Sequence, residues 1–376
     1  MNIERGKKYT LMLTVTEKCN LNCVYCYEGV KSEKIMPFEV AKKSITDTFK
    51  LDESNILIIT FHGGEPLTAF DLIKKICNWV WSQKWICKYI FFATTNATLL
   101  NDEMKNWFKV NKNRIILGLS YDGTDLMQDI NRSSSSKFID KKFFLETYPK
   151  QSVKMTISKK TVNNIAEGII FLQNQGFMVN ANLAYGTDWN MTDSLEIFAE
   201  QLNKLADFYI ENPKIIPSSI LNIKLESIFD KNNILKRSCG SGRRMCSVSQ
   251  DGKIYPCHMF MPSSFGENKN IYEIKNKLEN EILLEKKCID CYMSAICPTC
   301  YGMNLITCGD LSKRREDYCK MMKIRALAAT YMFGTILSSK NFGEYTVFDN
   351  FSENKIKAYK KVVFILQEKL SDEKFL

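Results

Sequence analysis

Histidine is almost missing from this chain: its 376 residues include two, His62 and His258. That scarcity excludes a histidine-ligated metal hydrolase or a histidine-based triad anywhere away from those two positions. No run reaches the roughly 18 apolar residues that a membrane span needs. The opening Met-Asn-Ile-Glu-Arg-Gly-Lys-Lys lacks the apolar stretch of a signal peptide. A cytoplasmic protein with no membrane partner is expected. Internal repeats and low-complexity linkers are also absent.

Cysteine is plentiful, with 14 residues. In a reducing compartment such a number points to metal or redox chemistry before structural disulfides. Hydrophobic residues make up 45% and charged residues 25%, enough for a sizeable core. The length suits two units. A net charge of +10 could attract nucleic acid or an acidic peptide. The basic residues are scattered, however, with short clusters only at Lys313-Arg314-Arg315 and from Lys355 to Lys361. They read as a solvated surface, so no nucleic-acid partner is expected.

Over the first 210 residues, β-like runs alternate with helical ones. Tyr9–Thr16, Ile56–Phe61, Tyr89–Thr94, Arg114–Ser120, Ser152–Ile157 and Met178–Ala184 predict strands. Phe38–Lys50, Asp71–Ser82, Asn101–Lys109, Val162–Gln175 and Thr192–Glu211 predict helices, with Asn101 as an N-cap. Strands separated by single helices make βαβ units and a parallel sheet. Six units predict an open, partial (β/α)6 TIM-like barrel, with its active site beyond the C-terminal ends of the strands. Nine of the cysteines fall between Cys239 and Cys319, which marks a small cysteine-rich second domain. The expected division is 1–230, 231–335 and 336–376, the last segment being a helical tail from Asn350 onward.

Directly after the first strand stands Cys19-Asn-Leu-Asn-Cys23-Val-Tyr-Cys26. Three thiolates on one loop can hold three irons of a [4Fe–4S] cube and leave the fourth iron open to a substrate. Tetrahedral structural zinc would need a fourth ligand nearby. The segment resembles the CxxxCxΦC motif of the radical S-adenosylmethionine (SAM) superfamily, with Tyr25 as the aromatic Φ. His62-Gly63-Gly64-Glu65-Pro66 after the second strand is similar to that superfamily's GGEP motif. Glycines there let the backbone approach a ligand closely. Thr94-Thr95-Asn96-Ala97-Thr98 looks like its TNGT segment, with Ala97 where glycine is common. The resemblance implies a SAM site that includes Tyr25, Gly63, Gly64, Glu65 and Asn96, with Ser120 near the ribose. Arg132 would pair with the carboxylate, a role that suits a bidentate guanidinium.

The later cysteines run Cys239-x6-Cys246, Gly252-x4-Cys257, Cys288-x2-Cys291-x5-Cys297-x2-Cys300 and Cys319. This resembles the SPASM auxiliary iron–sulfur domain, although the family usually has three residues between the cysteines that match Cys297 and Cys300. The resemblance implies one cluster on Cys239, Cys246, Cys257 and Cys300 and another on Cys288, Cys291, Cys297 and Cys319. With the catalytic cluster, that makes three [4Fe–4S] clusters. If Cys246 or Cys300 is not a ligand, an open iron could hold a substrate thiolate. The competing reading is a pair of zinc ribbons in a non-enzymatic binding protein. Cys77 and Cys87 read as core residues, as does Cys308 beside the clusters.

What the resemblance implies is an oxidoreductase that cleaves SAM to a 5′-deoxyadenosyl radical, fed by a flavodoxin- or ferredoxin-type electron donor. SPASM enzymes mostly modify peptides or proteins, so a short ribosomal precursor peptide is the expected substrate. Anaerobic sulfatase-maturating enzymes are similar in layout, and only 18 residues precede Cys19 here. They place an aspartate base where this chain has His258, directly after Cys257. Histidine can accept a proton near neutral pH, or it can hydrogen-bond a thiolate or sulfide; both roles stay open. Pro-Cys-His looks more like maturases that build thioether or carbon–carbon crosslinks. Formylglycine formation in a sulfatase and peptide epimerisation, with Cys308 as hydrogen donor, are the other enzymatic readings.

Overall fold

The computed structural model describes residues 8–50, 56–190, 193–229, 239–267 and 270–371. The expected junction at 230/231 and the expected helix start at Thr192 lie outside them. Tertiary contacts divide the chain into two compact units. The first holds residues 1–120, 132–151 and 239–283; the second holds residues 121–131, 152–238 and 284–376.

In the first unit, strand β1 (Lys8–Thr16) is buried on both faces beyond its first residues, the pattern of an interior strand of a parallel sheet. Next to it lies β2 (Ile56–Gly63), then β3 (Tyr89–Thr95) and β4 (Ile115–Leu119), all parallel. Their registers start at Lys8↔Ile56, Leu57↔Tyr89 and Phe91↔Ile115. Helices α1 (Phe38–Phe49), α2 (Phe70–Ser82) and α3 (Asp102–Val110) make the crossovers. Asn101 caps α3 as expected, its Oδ1 accepting from Met104 N at 2.9 Å. Leu13, Val15, Ile59, Phe61, Phe91 and Leu117 form the core of this sheet. The rings of Phe61 and Phe91 stack at 5.4 Å between centroids. Each buried side chain of this size contributes about 2–3 kcal/mol.

The cysteine-rich segment does not keep to itself. Its strand β7 (Met245–Val248) pairs in parallel with the free edge of β1, Thr10↔Met245 to Leu13↔Val248, and β8 (Ile254–Tyr255) pairs antiparallel with β7. The sheet order is therefore β4-β3-β2-β1-β7-β8. An edge strand as apolar as β1 leaves a ladder open that needs a partner, and Met-Cys-Ser-Val supplies it.

Strands β5 (Val153–Ile157) and β6 (Val179–Leu183) complete the six expected strands and pair in parallel within the second unit. In that unit the backbone just after β4 meets β5, Tyr121 N donating to Lys154 O at 2.9 Å. The short helices α4 (Asp125–Asn131) and α5 (Lys141–Thr147) interrupt the stretch from β4 to β5, whereas the one helix α6 (Ile165–Asn174) joins β5 to β6. Three long helices follow: α7 (Ser194–Glu211), one at Glu316–Ser338 and one at Glu353–Ser371. The last is the expected tail; it buries Tyr359, Val362, Val363 and Leu366 and bonds through Tyr359 Oη to Ile223 O at 2.7 Å. Among the described residues no helix is long and apolar enough to cross a membrane. The α/β barrel-type expectation holds, with two added strands from the cysteine-rich segment.

Candidate functional site

Because β1 to β4 run parallel, the residues after each strand share one edge of the sheet. The Cys19–Cys26 loop leaves β1 and returns to it: Glu17 N donates to Lys34 O at 3.1 Å and Met36 N to Val15 O at 2.8 Å. Across the loop, Lys31 Nζ donates to Leu21 O at 2.5 Å. Cys19 and Cys23 are half-buried and Cys26 is exposed. Burial raises the Cys19 thiol pKa, opposed by a hydrogen bond from the Leu21 backbone and by the Lys31 charge. Three thiols from one loop, beside a lysine and with no fourth cysteine in the loop, suit a four-iron cluster with one open iron.

The Gly63-Gly64 turn serves this loop. A Cβ on Gly63, whose φ is +149°, would lie 2.0 Å from Thr16 O. One on Gly64 would lie 2.5 Å from Lys18 O and 2.8 Å from Cys19 Cβ. Glycine is thus required for the turn to press against the cysteine loop. Fully buried Glu65 ties the next two strand ends together: its carboxylate accepts from Leu67 N at 3.1 Å, Thr95 Oγ1 at 2.7 Å and Asn96 N at 2.7 Å. Burial pushes its pKa up, while those hydrogen bonds and the Arg132 charge pull it down. Asn96 Nδ2 donates to Asn20 Oδ1 at 3.0 Å, which links the β3 end to the cysteine loop. Ala97 has φ +62°, a left-handed conformation that explains why glycine is common at the corresponding family position.

Ser120 continues the series, its N donating to Thr95 O at 3.0 Å. Arg132 is buried, with its guanidinium 5.4 Å from the centre of the Tyr25 ring. Asn22 N donates to Ser133 Oγ at 3.1 Å, so the segment after Arg132 is fastened to the cysteine loop as well. The sequence-predicted residues Cys19, Cys23, Cys26, Tyr25, Gly63, Gly64, Glu65, Asn96, Ser120 and Arg132 all lie in the first unit.

So do Cys239, Cys246, Cys257 and His258. Cys246 faces Leu11 across the β1–β7 ladder and is buried, as is Cys257. Thr14 Oγ1 and Ser247 Oγ both donate to Met261 Sδ, at 3.1 and 3.2 Å, and so fix the turn that carries His258. The His258 ring meets His62 edge to face at 4.5 Å and Tyr27 at 5.5 Å. Glu28 Oε1 lies 3.7 Å from His62 Nε2. Desolvation pushes the Glu28 pKa up to about 7.

Cys300, expected to join Cys239, Cys246 and Cys257, belongs to the second unit. In that unit Cys288, Cys291, Cys297 and Cys319 line one cavity of about 170 Å³. Arg314 Nη1 donates to Cys297 Sγ at 2.9 Å. This corrects the reading of Lys313-Arg314-Arg315 as solvated surface: Arg314 is buried, and Arg315 pairs with Asp188 at 2.7 Å and Asp317 at 2.9 Å. A charge run in sequence carries no sign of which member turns inward. Among the described residues no group of three or more His, Cys, Asp or Glu side chains is placed to hold a single metal ion. Cys77 is fully buried as expected, whereas Cys87, just before β3, is half-exposed and so not the core residue expected.

Residues 13–142 match the Radical SAM superfamily model. They form a radical SAM domain. A 40% identical stretch of 121 residues in an uncharacterised Methanocaldococcus jannaschii protein covers 32% of this chain and 41% of that protein. The radical SAM cyclopropyl synthase TigE of Paramaledivibacter caminithermalis is 23% identical over 86% of this chain and 74% of its own. The cysteine-type anaerobic sulfatase-maturating enzyme of Clostridium perfringens is 26% identical over 67% of this chain and 74% of its own. Among solved structures, native anSMEcpe with bound AdoMet and Cp18Cys peptide has a TM-score of 0.65 at 20% identity, covering 86% of this chain and 96% of that one. Streptococcus suis SuiB bound to precursor peptide SuiA has a TM-score of 0.54 at 18% identity, covering 84% and 76%. These structures share the fold. A radical SAM domain makes the chain an enzyme and implies a [4Fe–4S] cluster and SAM.

Several residues of the site were not legible beforehand. Glu28 looks like an ordinary surface glutamate, and only the tertiary fold turns it toward His62. In the second unit, Asp122 accepts from Thr156 N at 2.8 Å and from Asn131 Nδ2 at 3.2 Å, while Ser158 Oγ donates to Asn131 Oδ1 at 2.7 Å. This buried network joins the turns after β4 and β5, and its residues stand at no recognisable spacing.

Proposed function

We propose that this chain is a radical SAM maturase that installs a thioether or carbon–carbon crosslink in a short ribosomally made peptide. The observation that carries it is the shared strand-end edge of Cys19, Cys23, Cys26, Asn96, Ser120 and Arg132. When bound there, the cluster and SAM supply a radical able to remove hydrogen from an unactivated C–H bond. Cys19, Cys23 and Cys26 hold that cluster. Arg132, braced on Tyr25, grips the SAM carboxylate, Ser120 faces the ribose, and Asn96 is held ready by Glu65. Cys239, Cys246 and Cys257 are ligands of a second cluster, and Cys288, Cys291, Cys297 and Cys319 hold a third. A flavodoxin- or ferredoxin-type protein supplies electrons.

A peptide substrate is supported by the names of similar proteins, two of which carry a bound peptide. A cyclopropyl synthase makes carbon–carbon bonds, which supports the crosslink reading. The similarity to a sulfatase-maturating enzyme favours formylglycine formation as a second reading. His258 speaks against it, since that position would otherwise hold a carboxylate. In the proposed reaction a hydrogen atom would go to the deoxyadenosyl radical, a proton to His258 and one electron to an auxiliary cluster, with the rings of His62 and Tyr27 packed against His258.

Protein purified without oxygen should carry about twelve irons per chain and release 5′-deoxyadenosine with dithionite and SAM. Anaerobic co-expression with a short cysteine-rich peptide should lower the peptide mass by two hydrogens per crosslink. A protein with iron that yields no 5′-deoxyadenosine would end the proposal; turnover of a sulfatase peptide alone would favour the second reading.

A further inference from the structure

The cavity lined by Cys288, Cys291, Cys297 and Cys319 has a cationic wall. Arg314, Lys287 and Lys323 line it with the four cysteines. Arg314 is 7% exposed, and its Nη1 reaches Cys297 Sγ at 2.9 Å. Its backbone N donates to Glu285 Oε2 at 3.5 Å, and that carboxylate also lies 3.4 Å from Lys287 Nζ. Among the described residues no carboxylate pairs with the guanidinium itself, which instead meets the Cys297 sulfur.

Two further donors on this wall are fully buried without a hydrogen-bond partner among the described residues: Arg314 Nε and Ser294 Oγ. Leaving such buried groups unpaired is unfavourable, because the desolvation of each is then uncompensated. Both lie on the lining of the four-cysteine cavity, and sulfides or thiolates of an iron–sulfur cluster are acceptors that match them. An uncompensated guanidinium in a buried pocket likewise calls for an anion.

We propose that Arg314 is a positioning residue that raises the reduction potential of the cluster held by Cys288, Cys291, Cys297 and Cys319, with Ser294 as a weaker second donor. This rests on the ligand reading given above. Reduction adds one negative charge to the cluster. A fixed cation with one N–H on the Cys297 sulfur and a second buried N–H still unpaired therefore stabilises the reduced state more than the oxidised state. Cluster potentials respond to net charge and to hydrogen bonds on sulfur in this sense. Arginine suits the task better than lysine because its fork can serve a thiolate and a sulfide at once.

The test is a redox titration followed by electron paramagnetic resonance on the anaerobically purified full chain, with iron counted in each sample. Ser294→Ala, Arg314→Lys and Arg314→Met should lower the midpoint of one cluster signal progressively in that order. The other two signals should stay in place. Variants that keep full iron and show parental midpoints would overturn the assignment. If Arg314→Met sheds four irons, Arg314→Lys and Ser294→Ala decide. Restored iron with unmoved potentials in both would mean a purely structural arginine and would also overturn it. A Cys288→Ala/Cys291→Ala double variant separates the two layers. Retention of all iron there shows that the ligand reading has failed, and the arginine assignment falls with it.

Discussion

The rings of His62 and His258 meet edge to face, 4.5 Å apart, and they are the only histidines in the chain. One is the penultimate residue of β2 and the other directly follows Cys257, far along the chain. The contact exists because β7 pairs with β1 on the side opposite β2, which brings the Cys257 turn to the strand-end edge. Glu28, with its pKa pushed up to about 7 by burial, closes the group from the cysteine loop.

A ring contact of this kind should show as coupling. Replacing His62 and His258 by alanine singly and together should give stability losses that fail to add by about 0.5–1.5 kcal/mol. Urea unfolding of the four proteins measures it. Strict additivity would mean that the contact contributes nothing.

Glu65→Gln should cost about 2 kcal/mol, because an amide cannot accept from Leu67, Thr95 and Asn96 as the carboxylate does. SAM affinity should fall with it as Asn96 loses its anchor, which equilibrium binding would read. Unchanged affinity would confine Glu65 to the scaffold.

Gly64→Ala should expel the loop cluster, since the new methyl would meet Lys18 O at 2.5 Å and Cys19 Cβ at 2.8 Å. Iron content should drop by about four per chain, the complement of one cluster. Gly29→Ala is the control, because a methyl there meets nothing within 4 Å. Equal iron in both variants would refute the steric argument.

Asp140 caps α5 through Phe143 N at 3.1 Å and pairs with Lys105 at 2.8 Å. The hydrogen bond from Lys105 holds its pKa below the ordinary carboxylate range. A carboxyl lowered by folding stabilises the protein above its unfolded pKa, and that contribution disappears as pH falls through the folded one. Asp140→Ala should thus cost about 1 kcal/mol at pH 7 and progressively less below about pH 4. Hydrogen exchange in α5 across that range reports it; a cost independent of pH would contradict the ion pair.

Much of the scaffold was readable from local pattern. Apolar runs with helical stretches between them specify parallel strands, since one-residue side-chain alternation and 3.6-residue periodicity are local properties. Asn101 capped its helix for the same reason. The three cysteines after β1 needed no fold to be recognised, because their spacing alone puts three thiols on one loop.

The residues that complete the site were not readable in that way. Cysteine and glycine motifs announce themselves by spacing, but Arg314 stands in a run of three basic residues and only packing buries its middle member. Glu28 and His62 become neighbours through β-sheet order, which depends on long-range pairing and not on sequence distance. By itself the sequence determined the chemistry available on each strand end. Tertiary structure alone decided which of those ends, and which buried charges, share a common space, because burial and sheet pairing are settled by the whole chain at once.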